Sequence, residues 1–367
     1  MFPRFPASLK LLMIFETFFV VGYLVLQEGK IFLSDNDVFR WSRRRVKDRP
    51  TPSSTQNQVE YTMIHHIQTD KSYTADKTTN TTKNIRKKPI MIDLDSLVFD
   101  ESSLELCINS PVYLTIYVHS SPENNVRRRN VRETWGENQI LKMNNVSLVF
   151  TMGYTSNPNI SKIVEEEIRT YRDIIRANFI DSYRNLTYKA AAGIKWVTQC
   201  CQNTTYVLKI DDDIVLDIHR LLRFLKAYVG HKWGFQGLLM CHVWSKMDVQ
   251  RNSSSKWYTS KEDYPKDYFL QYCSGSAYVM TPDVVMDFYD IIPQTPFFWI
   301  DDYYVTGLLA KHVNISHRTL NDRYLLDEKK DILQEVRKDR KTRLLFVHPP
   351  NTTIAYQVWK MFVERQK

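Results

Sequence analysis

With 367 residues, 43% of them hydrophobic, the chain is long enough for one large or two ordinary domains with a proper core, which excludes wholesale disorder. The net charge of +9 is unevenly placed: Arg40, Arg43, Arg44, Arg45, Lys47 and Arg49 form one basic cluster, and residues 329–343 hold a second. Eight Asn-x-Ser/Thr sequons, at Asn80, Asn145, Asn159, Asn185, Asn203, Asn252, Asn314 and Asn351, speak for a secretory compartment. Nucleic acid is rarely met there, so both basic runs read as solvated charge and nucleic acid is not expected as a partner.

Residues 11–26 are almost continuously apolar and are bracketed by Lys10, Glu28 and Lys30. The run falls slightly short of the ~20 residues that span an average bilayer, which suits the thinner membranes early in the secretory route. No small-x-small cleavage pattern follows Leu26, which favours a retained anchor over a cleaved signal peptide. Arg4, Lys10 and the amino terminus favour a cytosolic N-terminus, while Glu16 inside the run is costly and has no account. The expected organisation is a cytosolic tail over 1–9, a transmembrane signal anchor over 10–28, a flexible stem over 29–107 and a lumenal body over 108–367. The five cysteines, Cys107, Cys200, Cys201, Cys241 and Cys273, allow at most two internal disulfides and match no zinc-site spacing; their pairing is open.

Within the body, apolar patterning predicts strands over 112–119 and 146–152, a helix over 161–176 and another over 186–198. In the first helix Ile163, Val164, Ile168, Tyr171, Ile174 and Ile175 would share one face. A strand then runs from Tyr206 to Ile210, and a helix starts near Ile218. This alternation implies an α/β sandwich with a largely parallel sheet.

Asp211-Asp212-Asp213 leaves that strand at the edge where open α/β sheets bind ligands. Crowded carboxylates are costly to keep ionised without a cation, and two at i and i+2 can share Mg²⁺ or Mn²⁺ beside a phosphate. A solvated turn or the cap of the next helix is the plainer alternative. Arg128 and Arg132 follow the first strand, where a nucleotide would dock, and Lys189 can reach a diphosphate as a point charge. For all three, ion pairs on helix faces are the competing role. Trp257, Tyr258 and Tyr264 can stack on a sugar or belong to the core.

Four segments together resemble the β-1,3-glycosyltransferase family, glycosyltransferase family 31. They are Arg128-Arg129-Asn130-Val131-Arg132-Glu133-Thr134-Trp135-Gly136, Asp181-Ser182-Tyr183-Arg184-Asn185-Leu186-Thr187-Tyr188-Lys189, the aspartate triplet, and the pair formed by residues 272–280 with Asp301-Asp302-Tyr303-Tyr304-Val305-Thr306-Gly307. The resemblance spans about residues 108–362. It implies a GT-A type, Rossmann-like nucleotide-sugar-binding fold in a Golgi type II membrane protein. The implied reaction is inverting, Mn²⁺-dependent transfer of galactose, N-acetylglucosamine or N-acetylgalactosamine from a UDP-sugar to a glycan acceptor on protein or lipid.

By the same resemblance the catalytic base is Asp302, second of the acidic pair, whose alternative role is capping a helix beginning near Tyr303. The implied metal ligands are Asp211, Asp213 and His348, with His317 and His312 as weaker candidates, and the donor-binding set is Arg128, Arg132, Lys189 and Asp211. Four departures bear on donor and acceptor identity: Ala277 replaces a glycine of the family's turn, Asp301 stands where the first acid is Glu, Tyr303 replaces a common Val, and Thr306 is inserted before Gly307. The competing function is a non-catalytic lumenal chaperone or lectin on the same fold. A phosphohydrolase would want more His and Asp ligands than the chain offers.

Overall fold

The computed structural model describes residues 89–106, 110–327, 329–339 and 343–366. The anchor expected over 10–28, most of the expected stem, Asn80 and Cys107 lie outside them. Among the described residues no helix is long and apolar enough to cross a membrane.

The described residues hold ten strands in order: β1 Val112–His119, β2 Val146–Tyr154, β3 Ile174–Ile180, β4 Thr204–Asp211, β5 Val215–Leu216, β6 Leu239–Trp244, β7 Tyr272–Met280, β8 His317–Thr319, β9 Tyr324–Leu325 and β10 Phe346–Val347. The main sheet runs β3-β2-β1-β4-β7-β6-β8. Its first four strands are parallel, β7 is antiparallel to both β4 and β6, and β8 is parallel to β6. A small sheet, β5-β10-β9, brings the late strand β10 beside β5, directly after the aspartates.

Successive residues of β1 face opposite sides, so Leu114, Ile116 and Val118 enter one apolar cluster and Tyr117 the other. Burial on both faces is what a near-continuous apolar strand requires. The structure corrects one predicted element: the helix ends at Tyr171, with Arg172 left-handed at its C-cap, and Ile174 and Ile175 belong to β3. Their side chains enter opposite clusters, one above the sheet and one below, as alternation demands. The helix over 186–200 agrees with expectation and extends by one more pair of residues.

Residues 90–106 fall within the expected stem yet are built into the body. Ile92, Leu94, Leu97 and Phe99 are buried, and the Lys195 ammonium donates to the carbonyls of Leu94 and Leu97 at 2.7 and 2.8 Å. Spaced single apolar residues in a polar stretch show no period, so the packing partner, the helix over 186–200, is what gives them a place. Cys241 and Cys273 form a disulfide between β6 and β7, Cys200 is also disulfide-bonded, and Cys201 is a buried free thiol. In the second basic run, Lys338 and Arg343 pair at the surface with Glu335 and Asp322, as solvated charge would.

Candidate active site

β1 and β4 end together: His119 lies in register with Asp211, and the Asp212 amide donates to the His119 carbonyl at 3.1 Å. The acidic turn therefore sits at the carboxyl edge of the parallel half of the sheet. It does not cap the following helix, because Asp217 takes that role by accepting from the Arg220 amide. Fully buried Trp135 donates its indole N–H to the Ile214 carbonyl at 3.1 Å, fixing the chain just beyond the triplet.

The three carboxylates differ. Asp211 Oδ1 accepts from the Lys209 ammonium at 2.6 Å, yet burial outweighs that pairing and pushes its pKa up to about 7. Asp212 is buried and accepts from Ser120 Oγ at 2.7 Å and Asn124 Nδ2 at 3.0 Å, which makes it the anchor of the turn. For Asp213 burial acts upward, but the hydrogen bond and charge of His348, then the charge of Arg127, prevail and hold the pKa below its ordinary value. His348 Nε2 stands 3.7 Å from Asp213 Oδ2, delivered there by β10.

Among the described residues no three His, Cys, Asp or Glu side chains are grouped closely enough to hold a metal. Asp213 and His348 are brought together; Asp211 is drawn back onto Lys209. One carboxylate and one imidazole suit a divalent ion that takes its remaining ligands from water and a diphosphate. The residues present fit such an ion as a two-ligand protein site. The other histidines do not join it: His317 Nε2 contacts the Thr306 carbonyl at 2.6 Å and His312 Nδ1 contacts Thr295 Oγ1 at 2.9 Å.

Asp302 lies on the other flank. Its Oδ2 accepts from the Gly275 amide at 3.1 Å and its Oδ1 from the Tyr303 amide at 2.8 Å. Burial, then repulsion from Asp301, push its pKa up to about 7 against those two bonds. Lys209 links the flanks, for its ammonium donates both to Asp211 and to the Gly275 carbonyl. A Cβ at Gly275 would come within 3.2 Å of Asp302 Oδ2, so a side chain there would press the carboxylate aside by a few tenths of an ångström. His119, also on this flank, is buried with Nδ1 3.7 Å from Asp301 Oδ2. Burial, then the nearby charges of Lys209 and Lys189, hold it well below its usual pKa, as a neutral imidazole.

Three expected donor contacts are spent elsewhere. Arg128 is wholly buried and gives all its N–H groups to Glu167, Ser120, Ser121 and Pro122. Arg132 grips Asp173 with two 2.8 Å bonds and Glu167 with a third. Lys189 donates to the Ser120 carbonyl and to Asp181, at 2.7 and 2.9 Å. Arg128 and Lys189 thus hold residues 120–122 in place rather than meeting a ligand. The arginine at the site is Arg127, whose Nη1 lies 2.9 Å from Asp213 Oδ2 and 3.2 Å from Asp212 Oδ1. Together with Asn130, Asp213, His348 and residues 349–352 it lines a cavity of about 450 Å³.

Of the candidate sugar platforms, Tyr264 belongs to the core, its hydroxyl 2.8 Å from that of Tyr303, and Tyr258 is half-buried. Trp257 and Tyr183 remain exposed. Burial, then the charges of Asp302 and Asp301, raise the Tyr183 pKa while a hydrogen bond with Trp257 lowers it, so Tyr183 feels the acidic pair and is partnered by Trp257. Three of the four departures lie in the framework. Ala277 is a buried β7 residue paired with Ile210, Tyr303 is core, and the inserted Thr306 is absorbed as a π-helical turn over Tyr304–Leu309.

A mostly parallel α/β sheet thus gathers separated carboxylates and a histidine at its carboxyl edge, where open α/β sheets bind ligands. The family model described as Galactosyltransferase matches residues 126–321, over half of the chain, and the chain belongs to that family. Beta-1,3-galactosyltransferase 5 of Gorilla gorilla gorilla is 32% identical over 209 residues, covering 57% of this chain and 68% of that protein. Beta-1,3-galactosyltransferase 1 of Mus musculus is 30% identical over 240 residues, covering 63% and 69%. A glycosyltransferase involved in glycosylation of the major capsid of PBCV-1 aligns with a TM-score of 0.36 and 11% identity over 68% of this chain and 99% of its own, too distant to carry an argument.

Proposed function

We propose that the chain is an inverting, Mn²⁺-dependent β-1,3-galactosyltransferase of GT-A type that uses UDP-galactose and a glycan acceptor. We place it in the Golgi membrane as a type II protein, with the anchor over 10–28 and a stem that gives way to the folded body near residue 90. The observation that carries the reading is the continuous line Asp211, Lys209, Gly275, Asp302, which couples the acidic turn to a carboxylate of near-neutral pKa.

In this reading Asp302 Oδ2 takes the proton of the acceptor hydroxyl as that oxygen bonds to the anomeric carbon and the bond to UDP breaks on the opposite face. The Gly275 and Tyr303 amides fix the carboxylate's direction, and Lys209 holds the Gly275 segment of β7 in place. Asp213 and His348 would hold the ion, which when bound offsets the charge growing on the leaving diphosphate.

The deciding experiment is a donor screen with the full chain in detergent, following acceptor-dependent UDP release with and without EDTA. Release from UDP-galactose that EDTA abolishes supports the reading; absence of both turnover and UDP binding across UDP-sugars overturns it in favour of a chaperone or lectin. In the same assay Trp257→Ala should raise the acceptor KM by about 10-fold, the order of one lost ring contact, with the donor KM unchanged. An unchanged acceptor KM would remove Trp257 from the acceptor site.

A further inference from the structure

We propose that Arg127 is a resident counter-cation that occupies the metal-binding face of Asp213 until the donor arrives, and then transfers to the donor diphosphate. The inference rests on the transferase reading above and adds a residue that the sequence did not single out.

The geometry is specific. Asp213 Oδ2 is approached from two sides, by Arg127 Nη1 at 2.9 Å and by His348 Nε2 at 3.7 Å. The same Nη1 also reaches Asp212 Oδ1, so one nitrogen bridges two adjacent carboxylates. A divalent ion bound by Asp213 and His348 would compete for that face, and it would repel the guanidinium.

Arg127 is also able to leave. Its side chain is 44% exposed, against 0% for Arg128 and 12% for Arg132. Both neighbours are locked by their bonds to Glu167 and Asp173. Arg127 uses only Nη1, and its Nε and Nη2 donors have no protein partner among the described residues. Arg127 lines the same cavity as Asp213 and His348. A guanidinium fork with unused donors beside an expected diphosphate is matched to phosphate geometry. The exchange is electrostatically conservative, since the carboxylates trade a guanidinium for a metal ion while the guanidinium trades carboxylates for phosphate.

Two properties should therefore move in opposite directions when Arg127 is neutralised, which a purely structural role would not produce. For Arg127→Met, Mn²⁺ binding without nucleotide, read from the paramagnetic resonance of free Mn²⁺, should tighten by about 10-fold as the competing charge is lost. UDP binding at saturating Mn²⁺, read by calorimetry, should weaken by about 10-fold or more, the order of one charged hydrogen-bonded contact. Arg127→Lys should keep the wild-type Mn²⁺ affinity but still bind UDP more weakly, because an ammonium lacks the fork.

Unchanged or weaker Mn²⁺ binding in Arg127→Met overturns the competition, and unchanged UDP binding overturns the transfer to diphosphate. If the wild-type chain itself binds neither Mn²⁺ nor UDP, the transferase reading falls and takes this inference with it. That outcome is distinct from equal binding by wild type and variant, which removes Arg127 alone.

Discussion

Asp302→Asn should lower the turnover of glycosyl transfer by about 10²–10⁴-fold, the range that a positioned general base contributes. The amide is isosteric and keeps one carbonyl oxygen to accept from the Gly275 or Tyr303 amide, so folding should survive the change. Steady-state kinetics beside a thermal unfolding curve separates the two, and retention of more than a tenth of wild-type turnover in folded variant would remove Asp302 as the base. The pH profile is a second readout. A base must be unprotonated to act, and Asp302 is pushed up to about 7 by burial and by Asp301. Activity should rise with pH through an acid limb near 7. Since the folded-state pKa lies above the unfolded one, the folded form binds more protons between about pH 4 and 7, and this group makes stability fall as pH rises through that window.

Arg128→Met should destabilise the fold by about 3–5 kcal/mol, the usual cost of removing one partner from a buried charge network. Glu167 would keep Arg132 but lose two bonds from Arg128, and the carbonyls of Ser121 and Pro122 would lose their donor. Urea denaturation at neutral pH measures this directly; a loss below about 1 kcal/mol, the size of a surface ion pair, would show that the network is exchangeable with solvent. The pH dependence has a definite sign. Burial acts to raise Glu167, but the hydrogen bonds of Arg128 and Arg132 overcome it and hold the pKa below 4.5. The stabilisation is thus present above that value and lost as pH falls through the lower folded-state pKa, so wild type and variant should converge in acid. Because residues 120–122 also border Asp212 through Ser120, the variant should lose donor affinity even where it stays folded.

The two arginine roles show where reading by residue type stops. Arg127, Arg128 and Arg132 are chemically identical along a short basic helix, yet the phosphate argument was made for Arg128 and Arg132 and passed over Arg127. Helical geometry separates them. Arg128 and Arg132 are four residues apart and share the face that meets Glu167, while Arg127 turns toward Asp213. Lys209 is a different case: a single charge inside an otherwise apolar strand was visible in the sequence, and its burial between Asp211 and Gly275 explains why it is there.

By itself the sequence determined the elements with strong periodicity or unbroken apolar character. β1, the helix over 186–200 and the strand leading to the aspartates appeared in order, because alternation and burial are imposed locally along the chain. The quoted motifs likewise determined the family. Tertiary structure decided what depends on segments far apart in the chain: that Asp213 meets His348 and Asp302 meets Gly275, that Ile174 and Ile175 are strand rather than helix, and that residues 90–106 belong to the body. Such contacts arise when separately folded elements close on one another, and no local pattern encodes the partner.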